Sequence, residues 1–119
     1  MPAKILVVED NWDFREILTL ILNRVGYEVI EAAAACEGID KAASEVPNLI
    51  IMDLGLPGMD GIEATARLKR NPKTADIPVI AYTVWSDDFK GKAMEAGMAE
   101  FLPKTTPPAV LTEIIGRFL

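Results

Sequence analysis

Four stretches of the chain end on side chains that could do chemistry together: Glu9-Asp10, Asp53, Thr83 and Lys104. Each follows an apolar run: KILVV before Glu9, LIIM before Asp53, IPVIAY before Thr83 and AEFLP before Lys104. Short runs with little or no polar face suit strands buried in a sheet. If the strands are parallel, their carboxyl ends share one edge, the edge at which open α/β sheets bind ligands. Three carboxylates, one hydroxyl and one ammonium would then converge. Clustered carboxylates repel: two unit charges about 4 Å apart cost roughly 4 kcal/mol at an effective dielectric of about 20. Lys104, a raised pKa or a bound cation must offset that. Oxygen-only ligands suit Mg2+, which takes one or two carboxylates and shares its other positions with water and phosphate. Such a cation with a lysine and a hydroxyl, all facing an aspartate, is a set suited to phosphoryl transfer, with Asp53 as the nucleophile.

The rest of the composition narrows the chemistry. Histidine is absent from the 119 residues. That excludes histidine-based acid–base catalysis, Ser–His or Cys–His nucleophiles and His-ligated zinc. It also means that the chain cannot store a phosphoryl group on a histidine of its own. Half of the residues are hydrophobic, which argues for a globular chain, and the length suits one domain over 1–119. A net charge of −6 offers no electrostatic footprint for nucleic acid or an anionic membrane. Cys36 is the only cysteine, so no intrachain disulfide can form, and its alanine-rich surroundings suggest a small core residue. No apolar run approaches a membrane span, and the first one stops at Glu9, too soon for a signal peptide. A cytoplasmic setting follows.

Elements that could position these groups can be read from periodicity. Lys4 to Val8 is a strand. A helix from about Asn11 to Val25 carries a buried stripe of Phe14, Ile17, Leu18, Ile21 and Val25, with Gly26 as C-cap. Tyr27 to Glu31 alternates as a more exposed strand, and Ala32 to Glu45 is a helix with Ile39 and Ala42 or Ala43 inward. Leu49 to Met52 is the central strand, followed by Gly55, Pro57-Gly58 and Asp60-Gly61 as turn residues. After Gly61 a third helix runs to about Arg70, with Glu63 and Arg67 spaced to pair. Ile77 to Tyr82 is a strand. Ser86 is placed to cap a fourth helix, weakened by Gly91 and closed by Gly97. Ala99 to Pro103 is an edge strand, because proline cannot donate to a ladder. Thr106 is placed to cap the last helix, with Pro107 first and Val110, Leu111, Ile114, Ile115 and Phe118 inward. This alternation predicts an α/β fold: a parallel sheet with right-handed crossovers and helices on both faces.

The ordered set Glu9-Asp10, Asp53 within MDLGLPGMDG, Thr83 after IPVIAY and Lys104 after AGMAEFLP resembles the receiver domain of two-component response regulators. The resemblance covers the whole chain. It implies the flavodoxin-like doubly wound sheet of five strands in order 2-1-3-4-5, with five helices. It implies that Asp53 accepts a phosphoryl group from a histidine kinase or histidine phosphotransfer protein and that the surface then switches conformation. Glu9, Asp10, Asp53 and the Gly55 carbonyl would hold Mg2+, with Glu9 acting through water. Thr83 and Lys104 would bind the phosphoryl oxygens. Phe101 stands at the aromatic switch position and, lacking a hydroxyl, would act sterically. The only reactions implied are the domain's own Mg2+-dependent phosphotransfer and dephosphorylation, so it is not expected to be an enzyme in the ordinary sense. The chain ends with the fifth helix, so no output domain is expected within it, and the downstream protein target is not named by these residues.

Some positions depart from the family's pattern. The family has Lys-Pro where this chain has Lys104-Thr105, and a trans bond is expected, because cis costs about 2.5–4 kcal/mol before a non-proline residue. Val84 replaces a small residue after the threonine and could narrow access to Asp53. Gly55 and Trp85 occupy the two positions that flank the hydrolytic water, which predicts slow loss of the phosphoryl group. Two other classes fit less well. A phosphatase with an aspartyl intermediate needs a D-x-D motif after the first strand, where this chain has Glu9-Asp10-Asn11-Trp12. A flavodoxin-like cofactor binder needs a Ser/Thr/Gly phosphate cradle there, and this loop is acidic. The alternative function is a receiver-like interaction module that is never phosphorylated, which Thr105 and Val84 would favour.

Overall fold

The computed structural model describes residues 2–119. Its elements are β1 (Lys4–Val8), α1 (Trp12–Val25), β2 (Glu28–Ala32), α2 (Ala35–Glu45), β3 (Leu49–Met52), α3 (Gly61–Arg70), β4 (Val79–Thr83), a 3-10 turn (Asp87–Phe89), α4 (Lys90–Glu95), β5 (Glu100–Pro103) and α5 (Pro108–Gly116). The strands form one parallel sheet in the order β2-β1-β3-β4-β5. Because side chains alternate along a strand, the run LIIM feeds two cores at once. Ile50 and Met52 pack with Leu6, Val8, Val79 and Ala81 under α2, α3 and α4. Leu49 and Ile51 pack with Ile5, Val7, Ile80 and Tyr82 under α1 and α5. Each fully buried Leu, Ile, Val or Met among these contributes about 1.5–3 kcal/mol. Among the described residues, no helix is long and apolar enough to cross a membrane.

The register sets the site. Val8 is level with Met52, and Met52 with Ala81, so Glu9 and Asp53 leave the sheet side by side. The Asp53 N–H donates to the Val8 carbonyl at 3.0 Å and fixes that level. At the other end of the edge, Thr83 is level with Pro103, and the Lys104 N–H donates to the Thr83 carbonyl at 2.9 Å. Proline is tolerated in β5 because β5 is an edge strand, as expected.

Helix starts follow local chemistry. The Asn11 side chain caps α1 by accepting the Phe14 N–H at 2.8 Å, and Gly26 closes it at φ 105°. Asp60 caps α3 by accepting the Glu63 N–H at 2.9 Å. Glu63 and Arg67 do pair, at 3.6 Å on an exposed face.

Several expectations are corrected. The face of α1 that meets the sheet is centred on Leu18 and Leu22; Ile17 and Val25 are 57% and 51% exposed. An apolar stripe wider than the contact leaves its flanks in solvent. On α5, Leu111 and Ile115 are buried and Val110 is exposed for the same reason. Cys36 is exposed, not core, because α2 starts at Ala35 and turns Ala35, Gly38 and Ala42 inward. The fourth helical region splits into a 3-10 turn and a six-residue helix, and the Ser86 side chain makes no cap bond. Asp87 and Asp88 suit a helix N-terminus, but Gly91, about 1 kcal/mol worse than alanine inside a helix, gives little support for a longer one. The last helix starts one residue later than expected: Pro107 is its N-cap at ψ 146°, since a residue before proline is pushed out of the helical region. The Thr106 hydroxyl donates back to the Pro103 carbonyl at 2.7 Å instead.

Candidate functional site

Asp53 is the first residue beyond β3 and is 6% exposed. Its carboxylate is held from two sides. One oxygen accepts the Gly55 N–H at 3.3 Å, and the other meets the Lys104 ammonium at 3.2 Å. Gly61 permits this placement: a Cβ there would stand 2.2 Å from the Asp53 carbonyl oxygen. Only glycine lets α3 start so close to the end of β3.

Glu9 is 2% exposed and pairs with Lys104, while its second oxygen accepts the Asn11 N–H at 3.1 Å. Burial pushes the Glu9 carboxyl up to about 7; the hydrogen bonds from Lys104 and Asn11 oppose this, and the charge of Asp53 adds to it. Burial works to lower the Lys104 ammonium, but its hydrogen bond to Glu9 and the charges of Asp53 and Glu9 outweigh that and raise it. The lysine is therefore charged and shared between two carboxylates. The Lys104–Thr105 bond is trans, and the ammonium reaches Asp53 without a proline after it.

Asp10 is exposed beside this pair. Glu9, Asp10 and Asp53 each offer a carboxylate oxygen, and these atoms lie within 4.8 Å of one another. Three carboxylates against one ammonium leave an excess of negative charge. Hard oxygen donors at this spacing fit a small divalent cation such as Mg2+.

Thr83 is fully buried, and its hydroxyl oxygen accepts the Trp85 N–H at 3.2 Å, which leaves its own proton free to donate. Val84 is 78% exposed. Trp85 folds back: its Nε1 lies 2.9 Å from where a Cβ on Gly55 would be, and its ring leans on Phe89 at 4.6 Å. The two residues that the sequence pairs around the acceptor are thus in contact. Phe101 is buried beside Ala81, two residues before Thr83 on the neighbouring strand.

The sequence reading missed two contributors. Arg15 donates to the Glu9 carbonyl at 2.7 Å and to Glu31 at 3.2 Å, bracing the acidic loop against β2. Phe14, taken for a core residue, lies under the Lys104 ammonium at 4.3 Å. Both stand in the first turn after the acidic pair, the only signal that could have drawn attention to them.

Known proteins share this frame. The model of the response regulator receiver domain family matches residues 5–116. Sporulation initiation phosphotransferase F of Bacillus subtilis is 39% identical, covering 100% of this chain and 95% of its own. The phosphate regulon transcriptional regulatory protein PhoB of Pseudomonas aeruginosa is 36% identical over 90% of this chain, which spans about half (47%) of that protein's length. The crystal structure of the receiver domain of a Pseudomonas aeruginosa sensor histidine kinase superposes with a TM-score of 0.91 at 28% identity, covering 99% of this chain and 98% of that one. It has a magnesium ion coordinated in its active-site cleft. A sheet edge built from acid, hydroxyl and lysine, and a family match over nearly every element, lead to one conclusion: the chain belongs to the response regulator receiver domains, the phosphorelay modules of two-component signalling.

Proposed function

We propose that residues 1–119 form a single cytoplasmic receiver domain in which Asp53 accepts a phosphoryl group from a phosphohistidine on a kinase or phosphotransfer protein. The observation that carries this reading is the Lys104 ammonium, 3.2 Å from an Asp53 carboxylate placed within reach of Glu9 and Asp10. In the reaction an Asp53 oxygen bonds to phosphorus, and the phosphorus–nitrogen bond to the donor imidazole breaks with its electron pair left on nitrogen. The donor must be a partner's histidine, since this chain has none. Lys104 and the Thr83 hydroxyl bind the phosphoryl oxygens, and the Gly55 N–H orients the carboxylate. Asp10, Asp53 and the Gly55 carbonyl would hold Mg2+, with Glu9 through water, because Lys104 already occupies Glu9 directly. When bound, the ion neutralises charge on the phosphoryl oxygens. Phe101, packed against β4, transmits the rearrangement at Thr83 sterically to the surface read by a downstream protein.

The test is intact mass after incubation with acetyl phosphate and Mg2+. Wild type should gain the mass of one phosphoryl group, and chelation of the metal or Asp53→Ala should abolish the gain. An adduct that persists in Asp53→Ala would sink the reading. A receiver-like module that is never phosphorylated would give no adduct under any of these conditions.

The contact between Trp85 and Gly55 sets the lifetime of the acyl phosphate. Hydrolysis needs a water in line with phosphorus and a group to position it. Glycine supplies no such group, and an indole over it excludes water without offering a base. Trp85→Ala should therefore lose its phosphoryl group about tenfold faster, equal to about 1.4 kcal/mol in the barrier. Equal or slower decay in the variant would rule the shield out.

A further inference from the structure

Lys104 is a long, flexible side chain followed by Thr105 rather than a proline, yet only 14% of its side chain is exposed. Two carboxylates attract its ammonium from one side. On another side the Phe14 ring presents its face, with the centroid 4.3 Å from Nζ. A cation over a ring face is held by the ring quadrupole, most strongly where water is excluded. The ring is itself fixed. Tyr82 tilts against it at 5.4 Å and 48°, and the Tyr82 hydroxyl donates at 3.4 Å to the Lys104 carbonyl. The Phe14 N–H is tied to the Asn11 side chain at 2.8 Å, and the Asn11 N–H to Glu9 at 3.1 Å. The contacts close a ring of residues: Glu9 to Asn11, Asn11 to Phe14, Phe14 to Lys104 and Lys104 back to Glu9.

We propose that Phe14 is the positioning residue for Lys104, its ring face holding the ammonium at Asp53 before a phosphoryl group arrives. A leucine at this position would fill much of the space and keep the core, but would offer no negative face. Lys104 would then follow Glu9, its nearer carboxylate partner, and spend less time at Asp53. This inference rests on Asp53 being the acceptor only where phosphorylation is the readout.

The experiment compares wild type, Phe14→Leu and Phe14→Tyr, all checked for folding by circular dichroism. The rate of adduct formation with acetyl phosphate and Mg2+ should fall roughly tenfold in Phe14→Leu and stay near wild type in Phe14→Tyr. The second readout needs no phosphodonor. Lys104 side-chain methylene protons near the Phe14 ring should show a ring-current shift in wild type and Phe14→Tyr, lost in Phe14→Leu. Equal rates in wild type and Phe14→Leu, a Phe14→Tyr variant as slow as Phe14→Leu, or Lys104 signals unmoved by loss of the ring would each overturn the proposal. If Asp53 were not the acceptor, the adduct would be absent from all three proteins or would persist in Asp53→Ala, and the ring-current shift alone would then decide where Lys104 sits.

Discussion

Gly61→Ala should lower folding stability by about 3 kcal/mol or more, a large part of the roughly 5–15 kcal/mol that holds a domain together. The added methyl would stand 2.2 Å from the Asp53 carbonyl oxygen and 2.9 Å from Met52 Cγ. A methionine side chain can yield, but the backbone carbonyl of Asp53, held at the end of β3 by the bond from its own N–H to Val8, cannot. Either α3 backs away, losing the 3.0 Å bond from the Gly61 N–H to the Leu54 carbonyl, or the end of β3 twists and carries Asp53 out of reach of Lys104. Stability and phosphorylation should fall together. Gly91→Ala is the matched control. No heavy atom lies within 4 Å of an added Cβ there, and the residue is inside α4, so it should stabilise by up to about 1 kcal/mol. Urea unfolding of the three proteins reads both effects. A Gly61→Ala midpoint equal to wild type would show that the start of α3 has more room than this packing allows.

Lys104→Met should slow phosphorylation by acetyl phosphate about 10²-fold or more, in line with the loss of a preorganised charge that meets developing negative charge. Methionine keeps an unbranched apolar side chain of similar reach, so the groove beside Phe14 stays filled. The same change takes away the ammonium that faces Glu9 and Asp53. The three carboxylates are then left to a bound cation or to a proton on Glu9 to offset their repulsion, and above the pH at which Glu9 takes up that proton Mg2+ should bind several-fold more tightly. Opposite changes in rate and metal affinity cannot come from a loosened fold, which would weaken both. Calorimetric titration with Mg2+ beside the rate measurement checks this. An unchanged rate would mean that Lys104 does not act on the phosphoryl group.

The sheet and the groups on its edge were legible because continuous burial leaves a plain mark. LIIM has no polar face, and the turn residues after it fix where Asp53 must emerge. The same holds for Glu9 after KILVV. Helix faces were less legible. Phe14, Ile17, Leu18, Ile21 and Val25 make a convincing stripe, but the sheet covers only part of it, and how much is set by the tertiary approach of α1. Cys36 shows the same limit: its burial turned on α2 starting at Ala35, three residues later than propensity suggested. Around Pro107 the sequence offered a threonine cap followed by a proline start, but the second proline, Pro108, pushed Pro107 out of the helical region and moved the start one residue on. At the site, residue types gave the chemistry, but no residue type reports that an ammonium will rest on a particular ring.

Borohydride reduction of the phosphorylated protein, followed by sequencing of its peptides, tests directly whether Asp53 carries the phosphoryl group. Borohydride reduces an acyl phosphate to a primary alcohol and leaves free carboxylates intact. Homoserine should replace aspartate at position 53, with intact side chains at Asp10 and Asp60. Homoserine at another aspartate, or an adduct that resists reduction and so sits on a hydroxyl such as that of Thr83, would contradict it.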